Sequence, residues 1–523
     1  MTVTSCPFRS LCGVHHHHNS TQARCQFPQR FGHSRGRLHI REQRVAVVNH
    51  FEKALRLDLS CQCATKQETT ASTLDSFLTW AKDNGVEGGK IGIFEGQDGE
   101  RGVASLAPIA KDELVVRLPL RLAIVDVTDD LDDGVEFYEG APWSVRLACK
   151  LLRLKSEGFQ CPWYPYLQSL PDLVPGILST FQWEDMQAIE YQELKDKVNF
   201  DIWLVMDSWQ RLSADAHGGA SRDEYDWAMS IVHSRCFGVV GKKGGVGAHM
   251  LLPYVDMMNH GGDCTDGLLS GNAEAMDNVR WDVEASPDSP STATDLCVYA
   301  CRDIQKGEEI LLSYGERNND DFLLHYGFVP PRNPRDDVIL FPGLEEAIEW
   351  YCQAFPMEGD QSEIDALKES ALKAGEAEDV TPKNPMLSTK SAEALKEEAK
   401  KISLMAGGFV DGRLLAAFGK LGEKTEVSPR SGVAERCWEM LDASRPLLQD
   451  LEDLVADGED FEGYLQFYTS AIERYGEALG RVPGNESIQD AMQPLSTPRR
   501  NVFMFRAYKK VILWDVLLGL GKK

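Results

Sequence analysis

The sequence has no uninterrupted apolar run of membrane-spanning length. The best stretch, Val511 to Leu520, is short and carries Asp515, so no membrane partner is expected. Its 13 cysteines make no zinc-ribbon pattern. Cys61 and Cys63 form a lone C-x-C, Cys297 and Cys301 a lone C-x-x-x-C, with no second pair at metal spacing. An odd, scattered set fits free thiols in a reducing compartment better than a disulfide framework. Net positive charge is also missing: 55 Lys and Arg face 81 Asp and Glu, a formal −26 with pI near 4.9. A nucleic-acid binder needs basic patches to displace counterions, so that role is not expected. The acidity suits a basic, lysine-presenting protein partner, although a solvated acidic surface is the simpler account.

Acids are missing from the amino end. Residues 1–41 contain no Asp or Glu but carry Arg9, Arg24, Arg30, Arg35, Arg37 and Arg41. An Arg-rich, acid-poor leader is the mark of an organelle transit peptide. Residues 1–60 are therefore expected to be a disordered leader addressed to the plastid stroma, with the mitochondrion or cytoplasm as alternatives. The run His15 to His18 reads as a low-complexity stretch or tag fragment rather than a metal-binding tract.

What is present suits a protein of two to four domains: 523 residues, 43% hydrophobic and 26% charged. Residues 73–85 have the apolar spacing of a short amphipathic helix ending at Gly85. Residues 90–125 are short β-rich runs broken by Gly, Asp and Pro. Residues 141–235 turn helical around the irregular, proline- and aromatic-rich CPWYPYLQSLPDLVP. Residues 250–330 return to short mixed elements, with DDFLLHYGFV as a helix running into a strand. From 331 onward the pattern is helical, with residues 357–400 solvated or partly disordered. This predicts an α+β region at 71–330, split by a helical insertion at about 126–232, and an all-α domain at 331–523.

Four segments carry candidate chemistry, and each alone is weak. Gly99-Glu100-Arg101-Gly102-Val103-Ala104 lets the backbone approach a ligand, but also reads as an ordinary hairpin turn. No crossover helix follows it, which excludes a dinucleotide fold. Ser234-Arg235-Cys236-Phe237 closes a helical stretch, and its Arg could grip a carboxylate. Asp256-Met257-Met258-Asn259-His260 ends an apolar run in polar groups able to hold adenine or an amino-acid moiety, or simply to cap. Tyr314-Gly315-Glu316-Arg317-Asn318-Asn319 leads into His325-Tyr326-Gly327-Phe328, whose tyrosines could flank a narrow channel or lie unremarkably in the core.

In order and spacing these segments, with W-Y-P-Y-L-x-x-L-P in the insertion, resemble the SET-domain methyltransferases. The likeness is to the branch typified by the ribulose bisphosphate carboxylase large-subunit lysine methyltransferase, over roughly residues 73–330. The resemblance implies a fold of small sheets with a knot-like carboxyl end, followed by a helical substrate-binding domain. It implies S-adenosylmethionine as cofactor, held by Gly99, Glu100, Arg101, Gly102, Arg235, Asn259, His260 and Phe328. Arg235, Asp256, Tyr314 and Tyr326 would line the substrate channel, with Tyr314 catalytic beside the transferring methyl. Gly238-Val239-Val240 lacks the family's further basic residue, and the stretch after His260 differs from the family's substrate loop, so substrate identity stays open. Only Cys352 and Cys437 follow Tyr326, so no metal is expected.

The expected activity is lysine N-methylation of a non-histone protein by a monomer. A plastid enzyme such as Rubisco large subunit or aldolase is a possible partner. Histidine methylation on the same fold is the rival within enzymes. A non-catalytic SET-like scaffold is the rival outside them, and its expected mark, loss of the tyrosine or of the Asn-His pair, is not found.

Overall fold

The computed structural model describes residues 66–96, 101–126, 135–174, 176, 181–240, 246–262, 277–286, 289–378, 398–479 and 495–519. The chain divides into two units, Met1–Cys61 and Gln62–Lys523, and all described residues belong to the second. The expected leader, and Gly99 and Glu100, lie outside the described residues.

Helix α1 (Lys66–Asp83) begins earlier than the apolar spacing suggested and buries Phe77 and Ala81. Short strands follow: β1 (Ile91–Glu95), β2 (Arg101–Ser105), β3 (Leu114–Pro119) and β4 (Ile124–Val125). The insertion contributes α2 (Trp143–Ser156), α3 (Tyr164–Ser169), α4 (Trp183–Ala188), α5 (Gln192–Arg211) and α6 (Arg222–Arg235). Strands resume with β5 (Cys236–Val240), β6 (Val246–Leu251), β7 (Asn259–His260), β8 (Val279–Ser286), β9 (Ser289–Ala300) and β10 (Leu311–Leu312). Two three-stranded antiparallel sheets, β3-β9-β8 and β4-β6-β5, sit with the β1-β2 hairpin. Strands β7 and β10 pair in parallel, Leu311 beside Asn259 and Leu312 beside His260. Leu311 also exchanges hydrogen bonds with Asn278, its N–H donating to Asn278 Oδ1 and its carbonyl accepting from Asn278 N. The segment 311–312 is thus flanked by two earlier stretches of chain.

Helix α7 (Asn319–Tyr326) opens the carboxyl half. After it come β11 (Asp337–Phe341), α8 (Leu344–Ala354), α9 (Gln361–Glu376), β12 (Ile402–Met405), β13 (Phe409–Val410), α10 (Gly412–Thr425), α11 (Pro429–Asp442), α12 (Leu447–Ala456), α13 (Glu462–Leu479) and α14 (Thr497–Leu517). This half is mostly helical, as expected, but it is not without strands: β11-β12-β13 form an antiparallel sheet. DVILF and ISLM are apolar runs of four to five residues, too short for periodicity to separate strand from helix. Part of the 357–400 stretch is also ordered, since α9 buries Ala371 and Gly375. The expected strand after α7 is absent from the described residues, because Gly327 turns left-handed (φ 75°) and ends the pattern.

Three cores organise these elements. The first gathers α1, the small sheets, α2, α3 and α6. The second joins Ile189, Leu194 and Val198 of the insertion to Leu323 and Leu324 of α7 and to Leu451 and Phe505 of the tail. The third lies between β11, β12 and helices α8 to α11. Helix α5 spans two of them, with Leu194 and Val198 in the second and Val205 in the first. Among the described residues, no helix is long and apolar enough to cross a membrane. Cys149, Cys161, Cys297 and Cys437 are buried, unbridged thiols.

Candidate active site

Helix α6 aims the first group. Its start is locked by a reciprocal cap: the Ser221 hydroxyl accepts from Glu224 N, and Ser221 N donates to the Glu224 carboxylate at 3.0 Å. Its last residue, Arg235, donates from Nη1 to the Asp256 carbonyl at 2.7 Å and lies 4.0 Å from the Asp256 carboxylate. Asp256 sits in a single 3-10 turn, Val255–Met257, entered through Tyr254 at φ 77°. That angle is strained for a non-glycine residue and is held by the surrounding core. The Tyr166 hydroxyl, from α3, donates to Asp256 Oδ2 at 2.7 Å. Burial pushes the Asp256 carboxyl up to about 6, against the opposing pull of Arg235 and the Tyr166 hydrogen bond.

Two residues after the turn, the β7–β10 pairing sets Asn259. Its Nδ2 donates to the Arg101 carbonyl at 3.1 Å and to Glu309 Oε1 at 2.8 Å. Arg101 and Gly102 lie on β2, with Arg101 paired to Glu95 and donating to the Ser169 carbonyl. Gly102 lets side chains approach closely: an added Cβ would lie 2.6 Å from Glu309 Oε1 and 2.7 Å from the Phe94 ring, so those side chains would have to shift.

The same pairing carries His260 to Tyr314. The backbone N–H of Tyr314 donates to His260 Nδ1 at 3.1 Å, and the Tyr314 hydroxyl donates to the Met258 carbonyl at 3.0 Å. The rings of His260 and Tyr314 lie 5.2 Å apart, those of Tyr314 and Tyr326 4.9 Å apart. Phe322 and Phe328 complete the cluster, each within 6.2 Å of His260 and of Tyr326. Burial raises both phenol pKa values, so both tyrosines are neutral. Helix α7 positions Tyr326. The Asn318 side chain caps its start by accepting from Asp321 N, and left-handed Gly327 closes its end.

The residues singled out from the sequence therefore fall into three linked groups. Arg101 and Gly102 meet Asn259; Arg235 meets Asp256; His260, Tyr314, Tyr326 and Phe328 share an aromatic cluster. Met258 joins them, standing between Asp256 and Asn259 and accepting from Tyr314. Sequence reasoning missed Tyr166, Glu309 and Phe322. Tyr166 was in view within W-Y-P-Y-L, but nothing local shows that its hydroxyl reaches Asp256.

A sequence profile described as the SET domain matches residues 100–315. This chain contains a SET domain. Its sequence relatives include an actin-histidine N-methyltransferase from Drosophila melanogaster, 26% identical over 306 residues, 53% of this chain and 52% of that protein. Protein SET DOMAIN GROUP 40 from Arabidopsis thaliana is 24% identical over 309 residues, 51% of this chain and 60% of that protein. The chain spans about half the length of the curated relatives it matches. The crystal structure of the SET domain of LSMT bound to lysine and AdoHcy is similar in fold, with TM-score 0.52 at 16% identity. That likeness covers 85% of this chain and 90% of the other. The SET domain is thus the expected α+β arrangement of small sheets interrupted by helices between β4 and β5.

Proposed function

We propose that this chain is an S-adenosylmethionine-dependent protein-lysine N-methyltransferase acting on a non-histone protein. The observation that carries the reading is the convergence of half-buried Asn259, His260, Tyr314 and Arg235 with buried Asp256 in one neighbourhood. When bound, S-adenosylmethionine supplies a methyl group made electrophilic by a sulfonium sulfur. The residues fit such a group. Among the described residues, buried Arg235 Nε has no hydrogen-bond partner, a donor suited to the cofactor's carboxylate. The aromatic cluster suits a soft cation. Arg101, Gly102, Asn259, His260 and Phe328 would hold the remainder, and the resemblance adds Gly99 and Glu100, which precede Arg101 in the sequence.

The acceptor side belongs to Arg235, Asp256, Tyr314 and Tyr326. An attacking lysine must be neutral, although its ordinary pKa is about 10.4. Burial in a water-poor channel disfavours the ammonium form. Because the Tyr314 hydroxyl hydrogen is engaged by Met258, its oxygen is left to accept from the acceptor nitrogen. Holding the reactants in line supplies most of the rest.

Histidine methylation is the second reading, favoured by the relative named for that activity on actin. An imidazole is largely neutral near pH 7 and needs no such help. Incubating the purified chain with plastid extract and tritiated cofactor, then identifying the labelled residue by mass spectrometry, separates the two. Label on lysine supports the first reading and label on histidine replaces it. Cofactor binding without label in any extract would leave a binding scaffold. The leader supports a plastid address, where Rubisco large subunit and aldolase become candidates by analogy. A fusion of residues 1–70 to a fluorescent protein that stays cytosolic would reject that address.

A further inference from the structure

We propose that Asp201, His233 and His325 form a binding site for a divalent transition metal of the Zn²⁺ class. The three residues come from α5, α6 and α7, and one ligand atom of each lies within 4.8 Å of the other two. His325 Nδ1 is 3.8 Å from Asp201 Oδ2, and the two imidazole rings meet edge-on at 5.1 Å. A tetrahedral ion with bonds of about 2.0–2.1 Å needs ligand atoms about 3.4 Å apart. The widest separation must therefore close by at most about 1.4 Å, shared among three side chains.

The donor chemistry selects the ion. Two imidazoles and one carboxylate are the ligand set of borderline metals, and Mg²⁺ and Ca²⁺ prefer all-oxygen shells. Metal binding requires neutral imidazoles, and burial keeps both in that form, His233 down to about 4 and His325 to about 3. Arg317 and Lys197 stand nearby and oppose a cation. Lys197, however, is already paired with Asp320 and Asp321, which leaves Arg317 as the main opposing charge. The other acidic constellation, Asp320, Asp336 and Asp337, is different: the Lys509 ammonium already sits there, 2.6 Å from Asp320 and from Asp336. Two of the proposed ligands lie close in sequence to residues given to the acceptor side under the proposed function, His233 two residues before Arg235 and His325 one before Tyr326. An ion here would brace the helices that carry both.

The test uses the full chain with His15→Ser, His16→Ser, His17→Ser and His18→Ser, which removes the competing histidine tract. Titration with Co²⁺, read by visible absorption, should show one equivalent bound, displaced by Zn²⁺. Zn²⁺ should also raise the melting temperature by a few degrees. Asp201→Asn and His325→Gln should each weaken metal affinity at least 10-fold and abolish the thermal shift. Far-ultraviolet circular dichroism confirms that each variant is folded, with His233→Asn as a replacement where one is not. Absence of stoichiometric binding, or binding unchanged in folded variants, would overturn the proposal.

Discussion

The Tyr314 hydroxyl gives its hydrogen to the Met258 carbonyl, so its oxygen is oriented before any substrate arrives. Removing it should hurt chemistry more than binding. Tyr314→Phe is expected to cut methyl transfer by about 10- to 1000-fold, the range for losing one positioned catalytic group, with cofactor affinity largely kept. Single-turnover kinetics beside calorimetry checks this, and wild-type turnover would remove Tyr314 from the mechanism. Asp256 gives a pH signature. Its carboxyl titrates near 6, so the charged form that attracts an incoming ammonium exists above that pH. The rate should rise as pH climbs through about 6, and this acidic limb should vanish in Asp256→Asn. The same shift acts on stability with the opposite sense. The native state keeps the proton longer than the unfolded chain, whose pKa is about 3.9, so this residue's contribution falls between about pH 4 and 6.

Elements explain why single glycines and caps matter. Strand β2 passes so close to Glu309 and Phe94 that Gly102→Ala must displace one of them. Glu309 is also the partner of Asn259, so the strain travels to the β7–β10 pair. Gly102→Ala is expected to weaken S-adenosylmethionine binding by at least about 10-fold, the effect of losing about 1.4 kcal/mol. Titration calorimetry on the folded variant would read it, and unchanged affinity would dismiss the link. In α7 the cap Asn318 and the terminator Gly327 follow local rules, yet the sequence reading runs this helix on into a strand. The letters did not show that neighbouring Asn319 turns inward to bond Asp336 at 3.0 Å, an anchoring role rather than a site role.

For the whole molecule, the tail and the insertion share one core, so the active region is not independent of the carboxyl half. The sharpest tie is Lys509 of α14, buried among Asp320, Asp336 and the Asp337 carbonyl, which holds α7 and β11 against the last helix. Removing one partner of such a cluster strands the others without counter-charge. Lys509→Met is expected to destabilise the chain by about 3–5 kcal/mol, measured by denaturant unfolding. A loss below about 1 kcal/mol would mean the cluster contributes little to joining the two halves.

The sequence by itself determined what is local. The order of the motifs and the alternation of short strands with helical stretches were legible, because turns and apolar spacing act over a few residues. Only the tertiary structure decided the rest. Tyr166 reaches Asp256 across 90 residues and Lys509 reaches Asp336 across 173. The strands of the tail exist because β11 finds β12 some 60 residues later. The meeting of Asp201, His233 and His325 depends on which faces three helices turn toward one another. Such contacts are set by how whole faces pack, and no short stretch of chain contains that information.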